Sequence, residues 1–149
     1  MADTSKHSFQ ILVNGVVFKG DRVLISQRSW EEEHMPGRWT IPGGKVDHAD
    51  DDIFDVLQKT LQKEVLEETG VQTTKEMEFV TNNSYTKENG QHVVAIIFKC
   101  HYKSGQPKPL EDTIDCKWST IDEVKTTDFP PNVKEYILAA SQTISSATN

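Results

Sequence analysis

One run of residues constrains this chain more than any other. Between Ile53 and Thr69 the apolar residues Phe54, Leu57, Leu61 and Val65 recur at three- and four-residue steps, and Gly70 ends the pattern. The spacing predicts an amphipathic helix over about residues 53–69 with that stripe in the core. Asp51 or Asp52 would cap its start, where negative charge suits the helix dipole. Its last turns carry Glu64, Glu67 and Glu68, which share one face at i, i+3 and i+4. They border the apolar stripe, whereas a purely solvated charged face would lie opposite it. Carboxylates this close repel one another, and partial burial makes them costly unless they are paired or bound to metal. A hard divalent cation relieves both problems, because Mg²⁺ and Ca²⁺ prefer carboxylate oxygens. Such an ion can grip phosphate oxygens and activate water. The competing reading of the spacing is a solvated helix on which Lys63 offsets the charge.

The flanking sequence supplies groups suited to an anionic ligand. Pro42-Gly43-Gly44 offers a tight backbone that can approach a ligand or present carbonyls to an ion. Arg28 and Arg38 precede it and could contact anionic oxygens. Ile11–Phe18 and Val23–Ile25 read as a hairpin across the turn signal of residues 19–22, and Ser29–Gly37 as a loop. Lys45-Val46 suggests a short strand, followed by a loop rich in aspartate. Beyond the helix, Glu76–Tyr85 and His92–Tyr102 suggest strands joined around Asn89-Gly90, a tight-turn signal. Ile114–Trp118 reads as a further strand, Ser119–Val124 as a short helix with a capping-box start, and Pro131–Ala140 as a terminal helix. Strands, helix, strands, helix predict an α/β (α+β) fold in which helices pack on a mixed sheet.

Composition narrows the function classes. The 149 residues suit one domain with a real core, and residues 1–8 and 141–149 are polar enough to be flexible ends. The formal net charge of −7 disfavours a broad nucleic-acid surface but not a small anion beside a bound cation. Cys100 and Cys116 lie in apolar strand-like surroundings without metal spacing, so buried free thiols are expected. No apolar run reaches membrane-spanning length, and the N-terminus lacks a signal-peptide core, which makes the cytoplasm the default compartment.

Together these features resemble the Nudix hydrolases, the MutT-like family, from about Ile11 to Val124. The family motif is G-x5-E-x7-R-E-U-x-E-E-x-G-U, with U aliphatic. Its closing half reads Lys63-Glu64-Val65-Leu66-Glu67-Glu68-Thr69-Gly70-Val71 here, matching at every position but the arginine, and Pro42–Val46 matches the opening. Three departures stand out. The first motif glutamate is Asp55, the arginine is Lys63, and residues 45–54 lengthen the link after Gly44. The resemblance implies a Nudix-type α/β/α sandwich with a loop–helix–loop metal site. It implies that Glu64, Glu67 and Glu68, with the Gly44 carbonyl, hold Mg²⁺ or Mn²⁺. Glu64 and Glu67 would be catalytic; Arg28, Arg38, Gly43 and Lys45 would bind substrate; Asp55, Lys63 and Gly70 would hold the motif together. The general base would be Glu64 or a later carboxylate, Glu111, Asp112 or Asp115. Phe18, Phe79 and Tyr85 are candidates for stacking on a base. The implied reaction is water attack on phosphorus in a nucleotide-type small molecule, a nucleoside triphosphate first, by a monomer or homodimer. ADP-ribose or nucleotide-sugar cleavage, or non-hydrolytic nucleotide sensing, are the alternatives. The isopentenyl-diphosphate isomerase branch needs a cysteine motif that neither Cys100 nor Cys116 supplies.

Overall fold

The computed structural model describes residues 5–47 and 53–144. Strands β1 (Gln10–Lys19) and β2 (Arg22–Arg28) form the expected hairpin around Gly20, whose φ of 61° suits a residue without Cβ. They pair only beside the turn, at Phe18↔Val23 and Lys19↔Arg22. Farther along, β2 pairs with β3 (Trp39–Thr40), while β1 takes β4 (Gly43–Lys45) as its antiparallel neighbour. The double glycine thus enters a fork between the first two strands. The other edge of β1 runs parallel to β6 (His92–Ser104), which pairs antiparallel with β5 (Gln72–Thr86). β7 (Thr113–Ser119) completes the mixed sheet against β2.

Period-two alternation sends the apolar residues to two cores. Val13, Val17, Leu24, Phe98 and Cys100 face α1 (Val56–Thr69) and its Leu61 and Val65. Val16, Val23, Ile25, Ala95 and Ile97 face the opposite layer, built from α2 (Ile121–Thr126) and α3 (Pro131–Gln142). The result is the predicted α/β/α sandwich. Gly15 lets α1 lie close, since a Cβ there would sit 3.0 Å from Cys100 Sγ and 3.1 Å from Leu61 Cδ2. Both thiols are free and buried, as expected. The capping box of α2 forms between Thr120 and Glu123, and Gly90 turns the β5–β6 hairpin with φ 89°.

The acidic helix begins later than the periodicity predicts. It starts at Val56 because Asp55 takes a left-handed conformation, φ 59°, that breaks the helical path. Phe54 therefore lies outside the helix and is 89% exposed, so the stripe is Leu57, Leu61 and Val65. Asp51 and Asp52 fall outside the described residues, and Asp55 occupies the cap position without a side-chain cap bond. The short strand after the glycines spans Gly43–Lys45 in place of Lys45-Val46, because the backbone of Gly43 and Gly44 itself pairs with Asn14 and Val13.

Candidate active site

Helix α1 is tied down at its acidic end. Gly70 takes φ 76° and its N–H returns to the Leu66 carbonyl, a glycine stop of the expected kind. The loop leading into β7 then satisfies the next orphan carbonyls: Lys108 N–H donates to Thr69 O (2.8 Å), Leu110 N–H to Glu68 O (3.0 Å) and Glu111 N–H to Glu67 O (3.2 Å). The same loop is fastened to the β2–β3 connection, where Ser29 N–H donates to Asp112 O at 3.0 Å. Backbone bonds therefore fix the helix end, this loop and the residues after β2 as one assembly.

Within it, Glu64 and Glu68 meet. Their carboxyl groups hydrogen-bond to each other, and the Gly43 N–H donates to Glu68. Burial, then the neighbouring Glu64 charge, pushes the Glu68 carboxyl up to about 9, so near neutral pH it keeps its proton and donates it to Glu64. Burial and then the Glu67 charge raise Glu64 as well, while the bond from Glu68 acts the other way. Gly44 is packed against this pair: a Cβ there would lie 2.6 Å from Glu64 Cδ. A side chain at position 44 would therefore displace the carboxylate.

The pair sits at one end of a cleft of about 820 Å³. Gly43, Gly44, Lys45 and Asp47 line it, as do Glu111, Asp112 and Thr113. Residues 31–35 line it too, held by Arg28, whose Nε donates to His34 O (2.8 Å) and whose terminal nitrogen reaches Glu32 (3.3 Å). The cleft continues over the α3 face of the sheet, past Leu12 and Asn14 to Tyr85 and Tyr136. Tyr136 donates its hydroxyl proton to Asn83 Oδ1, which fixes its ring. Lys87, whose ammonium donates to Gln10 Oε1 at 2.6 Å, lines the same cavity.

Of the residues singled out from sequence, Arg28, Gly43, Gly44, Lys45, Glu64 and Glu68 converge on this cleft, with Tyr85, Glu111 and Asp112. Glu67 is close enough for its charge to act on Glu64, but it does not line the cleft, and its carboxylate lies 3.9 Å from Lys63. Among the described residues no three acidic, histidine or cysteine side chains converge closely enough to form a ready metal cage. Arg38 reaches Asp128 at 3.4 Å and does not line the cleft. Asp115 lies on β7, away from the cavity lining. Phe18 packs in the α3-side core under the Lys99 ammonium, and Phe79 is 55% exposed with its ring edge against Phe98. Tyr136 and Lys87 are among the cleft residues that sequence reasoning missed. Both stand far from the glutamate motif in the chain and have no local pattern of their own; only sheet pairing and the docking of α3 bring them in.

Comparison with known proteins agrees with this geometry. A family model described as NUDIX domain matches residues 9–140. A Mycobacterium tuberculosis protein named "Putative 8-oxo-dGTP diphosphatase 2" is 27% identical over 135 residues, 91% of this chain and 90% of its own. The crystal structure of the MutT protein from Methanosarcina mazei Go1 superposes with a TM-score of 0.72 at 21% identity, covering 90% of this chain and 94% of that one. The NUDIX domain of Shewanella oneidensis NrtR, solved with ADP ribose, gives a TM-score of 0.73 at 21% identity over 89% and 86% of the two chains. With the glutamate helix seated on a double glycine at the end of a cleft, and the family model spanning nearly the whole sheet, the chain belongs to the Nudix family and is a MutT-like Nudix hydrolase.

Proposed function

We propose that the chain is a metal-dependent pyrophosphohydrolase of nucleoside triphosphates. The observation that carries this reading is the Glu64–Glu68 pair packed on Gly43-Gly44 in a cleft that Tyr85 and Tyr136 also line. The donor set fits a hard cation. A buried carboxyl holding its proton beside a second carboxyl is a site that a divalent ion can occupy in the proton's place. Glu64, Glu68, Glu67 after turning from Lys63, and the Gly44 carbonyl would hold Mg²⁺ or Mn²⁺. When bound, the ion supplies neutralisation of phosphate charge and acidification of water.

The chain's own groups do the rest. Arg28 and Lys45 lie where they can take phosphate oxygens, Arg28 by exchanging its bond to Glu32 for one to the substrate. Glu64, whose carboxylate accepts from Glu68, and Glu111 or Asp112 on the tethered loop are the bases within the cleft that can take the proton of the attacking water. Attack on phosphorus breaks one P–O–P link, releasing a nucleoside monophosphate and pyrophosphate. Tyr85 and Tyr136 offer ring surface to the base at the far end of the cavity. The relative named an 8-oxo-dGTP diphosphatase supports trying oxidised guanine triphosphates first.

A second reading is nucleotide sensing without turnover. It is favoured by the place of Glu67, beside Lys63 and outside the cleft lining. Phosphate and pyrophosphate release from a nucleotide panel, with Mg²⁺, Mn²⁺ or EDTA, separates the two. Metal-dependent cleavage of one triphosphate well above the rest is expected. Tight binding with no cleavage of any compound would establish the sensor.

A further inference from the structure

Resting on the reading of the cleft as a nucleotide site, we propose that Lys87 binds the phosphate chain of the substrate and weights the site toward longer, more highly charged chains. Lys87 comes from the β5–β6 hairpin, outside the glycine–glutamate motif, and lines the cleft together with Arg28 and Lys45. Its ammonium is oriented by Gln10 Oε1 at 2.6 Å, a neutral acceptor that positions the charge without cancelling it. Among the described residues neither Lys45 nor Lys87 has a carboxylate within 4.0 Å, while Arg28 has only Glu32 at 3.3 Å.

Arg28, Lys45 and Lys87 are the three cations of a cavity whose lining also carries eight acidic residues, Glu64 and Glu68 among them, so an anion is drawn to these three side chains and not to the cavity as a whole. Burial first, then the charges of Lys45 and Arg28, hold the Lys87 ammonium below the usual lysine range, so part of that cost is the repulsion among the three cations. An anion offsets the cost, and the phosphate chain is the anionic part of a nucleotide. Each added phosphate brings more charge to the same three groups, so a triphosphate gains more from Lys87 than a diphosphate does.

The test is calorimetric titration of the metal-free protein in EDTA with inorganic tripolyphosphate and pyrophosphate, at two salt concentrations. Wild type should bind tripolyphosphate more tightly than pyrophosphate. Lys87→Met should weaken tripolyphosphate binding about tenfold, the scale of one lost charge-assisted hydrogen bond, and flatten its salt dependence. Lys87→Arg should restore both. In turnover, Lys87→Met should raise KM for a nucleoside triphosphate with kcat within about twofold. Tripolyphosphate binding unchanged by Lys87→Met, or absent from the wild type, overturns the assignment. If wild type cleaves no nucleotide yet loses tripolyphosphate through Lys87→Met, the hydrolase reading falls and Lys87 stands. If nucleotides are cleaved and Lys87→Met changes neither binding nor KM, Lys87 falls and the hydrolase reading stands.

Discussion

Glu68 is the residue on which the site's chemistry turns. It is a carboxyl held near neutral pH as an acid by burial and by Glu64, yet it is aimed at a backbone N–H and another carboxylate. Replacing it by glutamine preserves the shape and removes the proton that a cation would displace. Glu68→Gln should leave the metal-free protein at least as stable as wild type, because an amide needs no partner of opposite charge. Turnover should fall on the order of 100-fold or more, the scale seen when one charge-stabilising group is removed from an active site. Thermal melts in EDTA and steady-state assays in Mg²⁺ measure the two halves separately. A Glu68→Gln variant with full activity would remove this residue from the metal set. Glu67 is the sharper case, since its carboxylate lies beside Lys63. Equal loss on Glu67→Gln would mean that the side chain turns inward when metal binds.

At the scale of the element, α1 is defined by how it ends more than by its intrinsic preference. Four backbone N–H groups, from Gly70, Lys108, Leu110 and Glu111, collect its last carbonyls, so the glutamates ride on a fixed helix end. Its start is less regular. Asp55 sits at φ 59° with no side-chain cap bond, and it occupies the position where the family motif has a glutamate. A left-handed non-glycine residue costs about 1–2 kcal/mol relative to the right-handed region. Asp55→Gly should therefore be neutral or mildly stabilising, and Asp55→Val destabilising by about 1–2 kcal/mol, in urea unfolding. Destabilisation by Asp55→Gly would show that the aspartate side chain supports the loop in a way its backbone conformation does not reveal.

At the scale of the whole molecule, stability and pH are linked through the same pair, and the proposed metal would join them there. A carboxyl whose pKa is raised on folding binds more protons in the folded state than in the unfolded chain. For Glu68 that difference spans the range from its ordinary value of 4.5 to about 9. Across it, this group makes the metal-free protein lose stability as pH rises. If Mg²⁺ or Mn²⁺ takes the deprotonated pair, as proposed, the sign reverses: metal affinity should rise with pH over the same interval and binding should release a proton. Melting temperatures in EDTA and in Mg²⁺ between about pH 6 and 9 should diverge progressively; parallel curves would separate the Glu64–Glu68 pair from the metal.

Much of the architecture was legible in local pattern. The β1–β2 hairpin, the β5–β6 pair around Asn89-Gly90, the capping box of α2 and the glycine stop of α1 each depend on residues within a few positions of one another. The glutamate helix was legible for the same reason, since its spacing is a property of one turn of chain. The start of that helix was not, because the apolar step from Phe54 to Leu57 fits helical periodicity while Asp55 adopts a backbone conformation the pattern cannot register. Nor could spacing decide how three neighbouring glutamates divide. Glu64 and Glu68 pair where they pack against Gly43 and Gly44, and Glu67 lies beside Lys63. The sequence by itself determined the elements, their order and the motif, because those follow from short-range periodicity and turn chemistry. Only the tertiary structure decided the cleft: the parting of β1 from β2 admits the double glycine, and Lys87 and Tyr136 arrive by strand pairing and helix docking. Contacts between residues so far apart in the chain depend on packing, which no local window contains.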